Sequence, residues 1–270
     1  MTNSNLFPVR NLRFAMDDEV PRHWHGGRRA ITLFFDNLSI FFPPGERFFV
    51  AAVSEHRRRL RDPALLAEVK AFCGQEGIHS REHVRYNRML EAQGYPAQQM
   101  EARITRLLRV ISRVLPARLR LSATCALEHF TATLAHSLLS DPAVLEGAHP
   151  EMAALWTWHA AEENEHKAVA YDVYQQVGGN YLERVVTMLV TTLVFWLLVV
   201  GQQVRLMRAD GILLALREWA ALARFLFVQP GLLAMWRLYL DYYRPGFHPW
   251  QLDNRDLLEQ WKREQAGAPA

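Results

Sequence analysis

The chain has 270 residues, half of them hydrophobic and 11% aromatic, which supplies a sizeable core and excludes a disordered polymer. Its formal charge of +3 is small, and its arginines are scattered through helical segments, which argues against a nucleic-acid-binding surface. Two cysteines, Cys73 and Cys125, are too few for a disulfide framework or a thiolate zinc site.

Residues 1–30 read as a polar arm with Asp17, Asp18 and Glu19 in its middle and a basic stretch, Arg22 to Arg29, at its end. No continuous apolar h-region occurs in the first twenty residues, so cytoplasmic synthesis and residence are expected. An apolar, aromatic run over 30–42 leads into Pro43-Pro44-Gly45, after which a helix is expected to start at Glu46 and continue through Arg57 to Arg61. Helical spacing of Leu65, Leu66, Val69, Phe72, Cys73 and Ile78 predicts a second helix over 63–93, stopped by Gly94-Tyr95-Pro96. Further helices are predicted over 97–114, 117–139 and 150–177, the last ended by Gly178-Gly179. No alternating run competes with these, so the class is all-α.

The character then changes. The stretch 185–204 is uncharged, and up to Val200 only Thr187, Thr191 and Thr192 are polar. About 20 apolar residues suffice to span a bilayer, so a transmembrane helix and a helix packed on the protein both fit. The segment 212–243 mixes Leu, Trp and Phe with Arg217, Arg224 and Arg237, and suits a membrane interface or a protein surface. The expected organisation is an arm (1–30), a helical bundle (31–180), a hydrophobic helical extension (181–250) and a polar tail (251–270).

Four carboxylates and three histidines carry chemistry. Glu46 stands alone on one helix, Glu76 and His79 form a Glu-x-x-His pair on the next, Glu128 stands alone on a later one, and Glu163 with His166 repeats the pair. Residues at i and i+3 share a helical face, so each pair can offer a carboxylate and an imidazole to one ion. A single Glu-x-x-His arises by chance on solvated helices. Its duplication, each pair preceded by a helix with a lone Glu in apolar surroundings, is the ligand pattern of di-iron carboxylate bundles. Carboxylates bridge cations and offset their charge, imidazole suits iron or manganese, and four carboxylates buried without cations would be prohibitively costly. The expected fold is a ferritin-like four-helix bundle with a hydrophobic C-terminal extension, holding two iron ions, with manganese as the alternative.

His159 lies four residues before Glu163, giving His-x-x-x-Glu-x-x-His on one face. This resembles the di-iron arylamine N-oxygenases, whose sites add one histidine from the last ligand helix to a four-Glu, two-His set; the resemblance implies that His159 is a ligand. His83, one turn beyond His79, stands as an additional ligand, an outer partner or a solvent-facing residue. Glu162 and Glu165 are expected on other faces, as outer or surface groups. His129 and His136 read as ordinary helix histidines, and Tyr86, Tyr171, Trp156 and Trp158 as core aromatics. Asp36, Asn37, Arg81, Glu82 and Asp172 are candidates for orienting the ligands.

Over the whole chain, Arg28-Arg29-Ala30-Ile31-Thr32, Phe41-Phe42-Pro43-Pro44-Gly45-Glu46, Gln75-Glu76-Gly77-Ile78-His79-Ser80-Arg81-Glu82-His83, Trp158-His159-Ala160-Ala161-Glu162-Glu163 and Tyr242-Tyr243-Arg244-Pro245-Gly246-Phe247-His248-Pro249 resemble a bacterial family known as predicted metal-dependent hydrolases. That resemblance implies hydrolysis without indicating a nucleophile or substrate. No Ser-His-Asp or Cys-His arrangement is visible. The leading expectation is a di-iron oxygenase or oxidase that uses dioxygen to oxidise an apolar or amine substrate and draws electrons from a reductase. Hydrolysis at a dinuclear site is the alternative, and metal binding without an organic substrate the third reading. Association with the inner face of the membrane and a homodimeric state stay open.

Overall fold

The computed structural model describes residues 6–16, 19–228 and 230–267; residues 1–5, 17 and 18 of the expected arm and 268–270 of the expected tail lie outside that set. Among the described residues the chain is helical throughout, with one isolated antiparallel bridge between His25 and Ala148 and no strand. In chain order the helices are α1 (Arg29–Glu55), α2 (Pro63–Ala92), α3 (Ala97–Val114), α4 (Ala117–Ser140), α5 (Pro150–His166), α6 (Val169–Gln176), α7 (Tyr181–Ala209), α8 (Leu216–Phe227), α9 (Pro230–Asp241) and α10 (Arg255–Gly267).

Local chemistry sets most of these boundaries. At the start of α2 the Asp62 side chain accepts from Ala64 N (2.9 Å) and Pro63 occupies the first turn, where its missing N–H costs nothing. At the start of α7 the Asn180 side chain accepts from Glu183 N (2.9 Å). The turn before it needs glycine at 179, because a Cβ there would lie 2.3 Å from the Tyr174 ring.

Two expected boundaries are corrected. α1 does not begin at Glu46; it runs unbroken through Pro43 and Pro44, and Arg57–Arg59 form a separate 3-10 turn. A mid-helix proline removes a hydrogen bond to the carbonyl four residues back. For Pro43 that carbonyl is Ser39 O, and Asn87 Nδ2 of α2 donates to it instead (3.3 Å). The expected helix over 150–177 is divided between His166 and Val169. The break coincides with Lys167, whose buried Nζ donates to Leu252 O (2.6 Å) and Asn254 Oδ1 (2.7 Å) and lies 4.4 Å from the centre of the Trp250 ring.

α1 packs on α2, α3, α4 and α7, and α4 packs on α5, α6, α7 and α9. Two apolar clusters result. One joins Phe34, Phe35, Leu90, Trp156 and Leu206 with Phe14 and Trp24 of the N-terminal segment; the other joins Phe48, Phe72, Leu121, Val173, Tyr242 and Phe247. Each fully buried Leu or Phe contributes roughly 1.5–3 kcal/mol. Glu46 falls between Phe42, packed against the first cluster, and Phe48 of the second, so the polar seam lies where the clusters meet. The turn after α9 docks through buried Arg184, which donates to the carbonyls of Tyr242 and Arg244 and sits over the Tyr242 ring.

Asp36 is buried in the first cluster and accepts from Tyr86 Oη (2.6 Å) and Trp24 Nε1 (3.0 Å). Burial pushes its carboxyl from 3.8 up to about 7, against the pull of those two donors. Between these values the folded chain holds a proton that the unfolded chain has lost, so stability falls as pH rises through the window and is flat above it. At about 1.4 kcal/mol per pKa unit the ceiling is on the order of 4 kcal/mol. Asp36→Asn should remove that slope: urea unfolding at about pH 5 and about pH 8 should show the variant gaining on the parent at the higher pH.

Candidate metal centre

In the seam between the two clusters, α1 brings Glu46, α2 brings Glu76 and His79, α4 brings Glu128, and α5 brings His159, Glu163 and His166. None is more than 4% exposed, so water does not solvate these charges. Their ligating atoms form overlapping triads with all atoms within 4.8 Å of one another: Glu76, Glu128 and His166; Glu46, Glu76 and His79; His79, His159 and Glu163; and Glu46, His83 and His159. One oxygen is central. Glu163 Oε1 lies 3.0 Å from His159 Nε2, 3.6 Å from His79 Nδ1 and 3.6 Å from His166 Nε2. His166 Nε2 in turn lies 3.2 Å from Glu76 Oε1 and 3.7 Å from Glu128 Oε2.

Both carboxylate oxygens of Glu46, Glu76 and Glu128, together with Glu163 Oε2, His79 Nδ1 and His166 Nε2, are buried without a hydrogen-bond partner. Buried polar atoms are paired in nearly all folded proteins, and an unpaired buried carboxylate is among the costliest. Hard carboxylate oxygens and imidazoles in one pocket are a donor set that fits iron, manganese or zinc.

Left to protons alone, the cluster divides them unevenly. Burial pushes Glu46 and Glu128 well above the usual carboxylate range and raises Glu76, with the neighbouring carboxylates adding to each. Burial also opposes ionisation of Glu163, but the positive charge of His166 and the close imidazoles of His159 and His79 hold it well below that range. Against their own burial, His79 rises to about 9 beside Glu162 and Glu163, and His166 rises well above normal beside Glu163 and Glu76. His159 falls to about 4 through burial and the charge of His79. Cations at the centre would relieve this repulsion among carboxylates.

Glu162 and Glu165 take the outer role of the two expected for them, and Gln75 and Arg10 join them in place of Asp36, Asn37, Arg81, Glu82 and Asp172. Glu162 Oε2 pairs with His79 Nε2 (3.0 Å) and leaves Nδ1 facing Glu163. Gln75 Oε1 pairs with His166 Nδ1 (2.9 Å), and Gln75 Nε2 donates to Glu165 Oε2 (3.0 Å). Arg10, from the N-terminal segment, donates to both Glu162 (2.9 Å) and Glu165 (2.7 Å). Glu165 is therefore a buried support and not a surface group.

Asp36, Asn37, Arg81, Glu82 and Asp172 are engaged elsewhere: Asn37 with Val199 O, Arg81 with Glu82, and Asp172 with His248. His129 Nε2 donates to Leu238 O (3.1 Å), as an ordinary helix histidine does. Gln75 and Glu162 each stand one residue before a carboxylate of the cluster, roughly 100° round the helix and aimed at the neighbouring helix. That offset is a usable signal. Arg10 had none, because 152 residues separate it from Glu162.

His83 is buried beside the centre with both ring nitrogens engaged, Nε2 with His159 Nδ1 (2.7 Å) and Nδ1 with Ser39 Oγ (2.9 Å). It holds His159. An apolar cavity of about 380 Å³, bounded mainly by α1, α3, α4 and α7, is lined at one end by Phe42, Gly45, Leu127 and Thr131, neighbours of the candidate ligands His159, Glu46 and Glu128.

Residues 8–253 match the family described as predicted metal-dependent hydrolase. The chain belongs to that family. As a member of the predicted metal-dependent hydrolases it is a metal-dependent protein, and the buried Glu and His groups are where described residues are placed to bind an ion. Comparisons with curated proteins and with solved structures give no match.

Proposed function

We propose that this member of the predicted metal-dependent hydrolases is an enzyme with a dinuclear centre held by Glu46, Glu76, His79, Glu128, His159, Glu163 and His166, which hydrolyses an apolar substrate. The observation that carries the reading is the set of overlapping buried triads whose carboxylate oxygens have no other partner. The order of contributions, lone Glu, Glu-x-x-His, lone Glu, Glu-x-x-His on α1, α2, α4 and α5, supports a ferritin-like bundle as its frame. Two cations in such a site supply Lewis acidity and lower the pKa of a coordinated water, or as iron they reduce dioxygen.

The chain's own residues hold and shield that chemistry. Glu162 and Gln75 fix the rings of His79 and His166, and the apolar wall around Phe42 and Leu127 excludes bulk water. Hydrolysis is the reading supported by the family's description. A second reading, dioxygen-dependent oxidation by a di-iron form, is favoured by one observation: all seven candidate ligands come from helices, and four of them are glutamates.

The test loads the protein with manganese, zinc or, anaerobically, ferrous iron. Metal-dependent cleavage of p-nitrophenyl esters that improves with acyl chain length is the expected result. Dioxygen consumption by the ferrous form without ester cleavage would transfer the assignment to oxidation, and inertness in both assays would leave neither enzyme reading standing.

A further inference from the structure

We propose that the cavity between α1, α3, α4 and α7 is a binding site for one long alkyl chain, the chain entering at the α3–α7 edge and pointing to the metal centre. The direction of the chain rests on the proposed metal centre; occupancy of the cavity does not.

The wall recognises hydrocarbon and little else. Among the described residues its only polar groups are the hydroxyls of Thr131, Thr187 and Thr191 and the indole N–H of Trp196, and no charged residue lines it. The Thr131 hydroxyl is already committed to the carbonyl of Glu128 (3.0 Å). A volume of about 380 Å³ falls within the range of small-molecule sites.

The inner end abuts candidate ligands. The Phe42 ring lies 4.4 Å from that of His159, and Leu127 and Thr131 bracket Glu128 on α4. Gly45 precedes Glu46, and a Cβ there would meet only Phe49 Cζ at 3.8 Å, so the position opens into free space.

The outer edge is an opening. Ile104, Leu107, Leu108 and Ile111 of α3 line it on one side. Opposite them on α7, the lining residues Val186 and Val190 are 50% and 57% exposed, so this wall opens to the surface. Leu189, Leu193 and Leu197 continue it outward, in a helix long and apolar enough to cross a membrane, whose most apolar window is only 17% buried. An apolar mouth continuous with the exposed apolar face of α7 fits the entry of a hydrocarbon chain.

Full-length protein would be titrated with cis-parinaric acid, a fluorescent fatty acid, and with its methyl ester, and metal content measured on the same samples. We expect saturable binding of the acid, weakened by at least about tenfold in Ala123→Trp and Leu108→Trp with metal content unchanged. The methyl ester should bind within about threefold of the acid, because no charged residue lines the wall. Faster uptake from anionic vesicles than from monomeric solution would assign a membrane source, and equal uptake a soluble fatty acid; either is compatible with the site. Absence of saturable binding, a dimer that buries this face and takes up no acid, or equal binding in both Trp variants would overturn it. Normal binding of the acid by protein that takes up no metal would leave the cavity assigned and remove the metal centre.

Discussion

Glu163→Ala is expected to cost the protein both metal ions, whereas Glu128→Ala should cost one. The difference follows from reach. Glu163 Oε1 lies within 3.6 Å of a nitrogen on each of His79, His159 and His166, so it touches both ends of the cluster. Glu128 shares a triad only with Glu76 and His166.

Elemental analysis of reconstituted samples should show about two ions per chain in the parent, about one in Glu128→Ala and almost none in Glu163→Ala. Stability should follow occupancy. A ligand held at a thousand times its Kd stabilises the fold by about 4 kcal/mol, and in a chain of this size each kcal/mol moves Tm by roughly 2–4 °C. Chelation of the parent should therefore lower Tm by about 10 °C, and Glu163→Ala should already melt at the chelated value. Equal metal loss in the two variants would remove Glu163 from its central role.

The features readable in the sequence are those encoded locally. The stop signal Gly94-Tyr95-Pro96 and the helical spacing of apolar residues predict α2, α3 and α4 almost to the residue, because capping and periodicity act within one or two turns. Pro43-Pro44 misleads for a physical reason. Its effect on α1 depends on whether the carbonyl it frees finds another donor, and that donor, Asn87, lies 48 residues away.

The candidate site divides in the same way. The i, i+3 and i, i+4 spacings bring Glu76 with His79 and His159 with Glu163 and His166, and the structure gathers all seven residues into one seam. The groups that orient them are non-local: Glu162 reaches His79 across 83 residues and Gln75 reaches His166 across 91. Helical phase alone puts Glu162 and Glu165 off the ligand face, as expected. It does not reveal that a neighbouring helix and Arg10 meet them there.

Ser39→Ala should weaken metal binding about 10–100-fold although Ser39 touches none of the seven proposed ligands. The prediction comes from following protons along one hydrogen-bond chain. Asn87 Nδ2 donates to two groups that only accept, Ser39 O (3.3 Å) and Glu101 Oε2 (3.4 Å), which fixes its amide so that Oδ1 accepts from Ser39 Oγ (2.9 Å). With its hydroxyl proton committed, Ser39 Oγ must accept from His83 Nδ1 (2.9 Å). His83 Nε2 is then bare and accepts from His159 Nδ1 (2.7 Å), which leaves His159 Nε2 as a lone pair 3.0 Å from Glu163 Oε1. Two lone pairs facing each other at that distance require a cation or a proton between them. Removing the Ser39 hydroxyl strands His83 Nδ1–H in a buried site and favours the opposite tautomer, in which His83 Nε2–H donates and His159 Nε2 carries the proton. A protonated Nε2 cannot bind metal. Asn87→Leu should act in the same direction by releasing the Ser39 proton, and Ser39→Thr, which keeps the hydroxyl, should restore affinity. Nitrogen-15 shifts of His159 in the metal-free protein would report the tautomer directly, and an unchanged tautomer in Ser39→Ala would show that the chain does not control it.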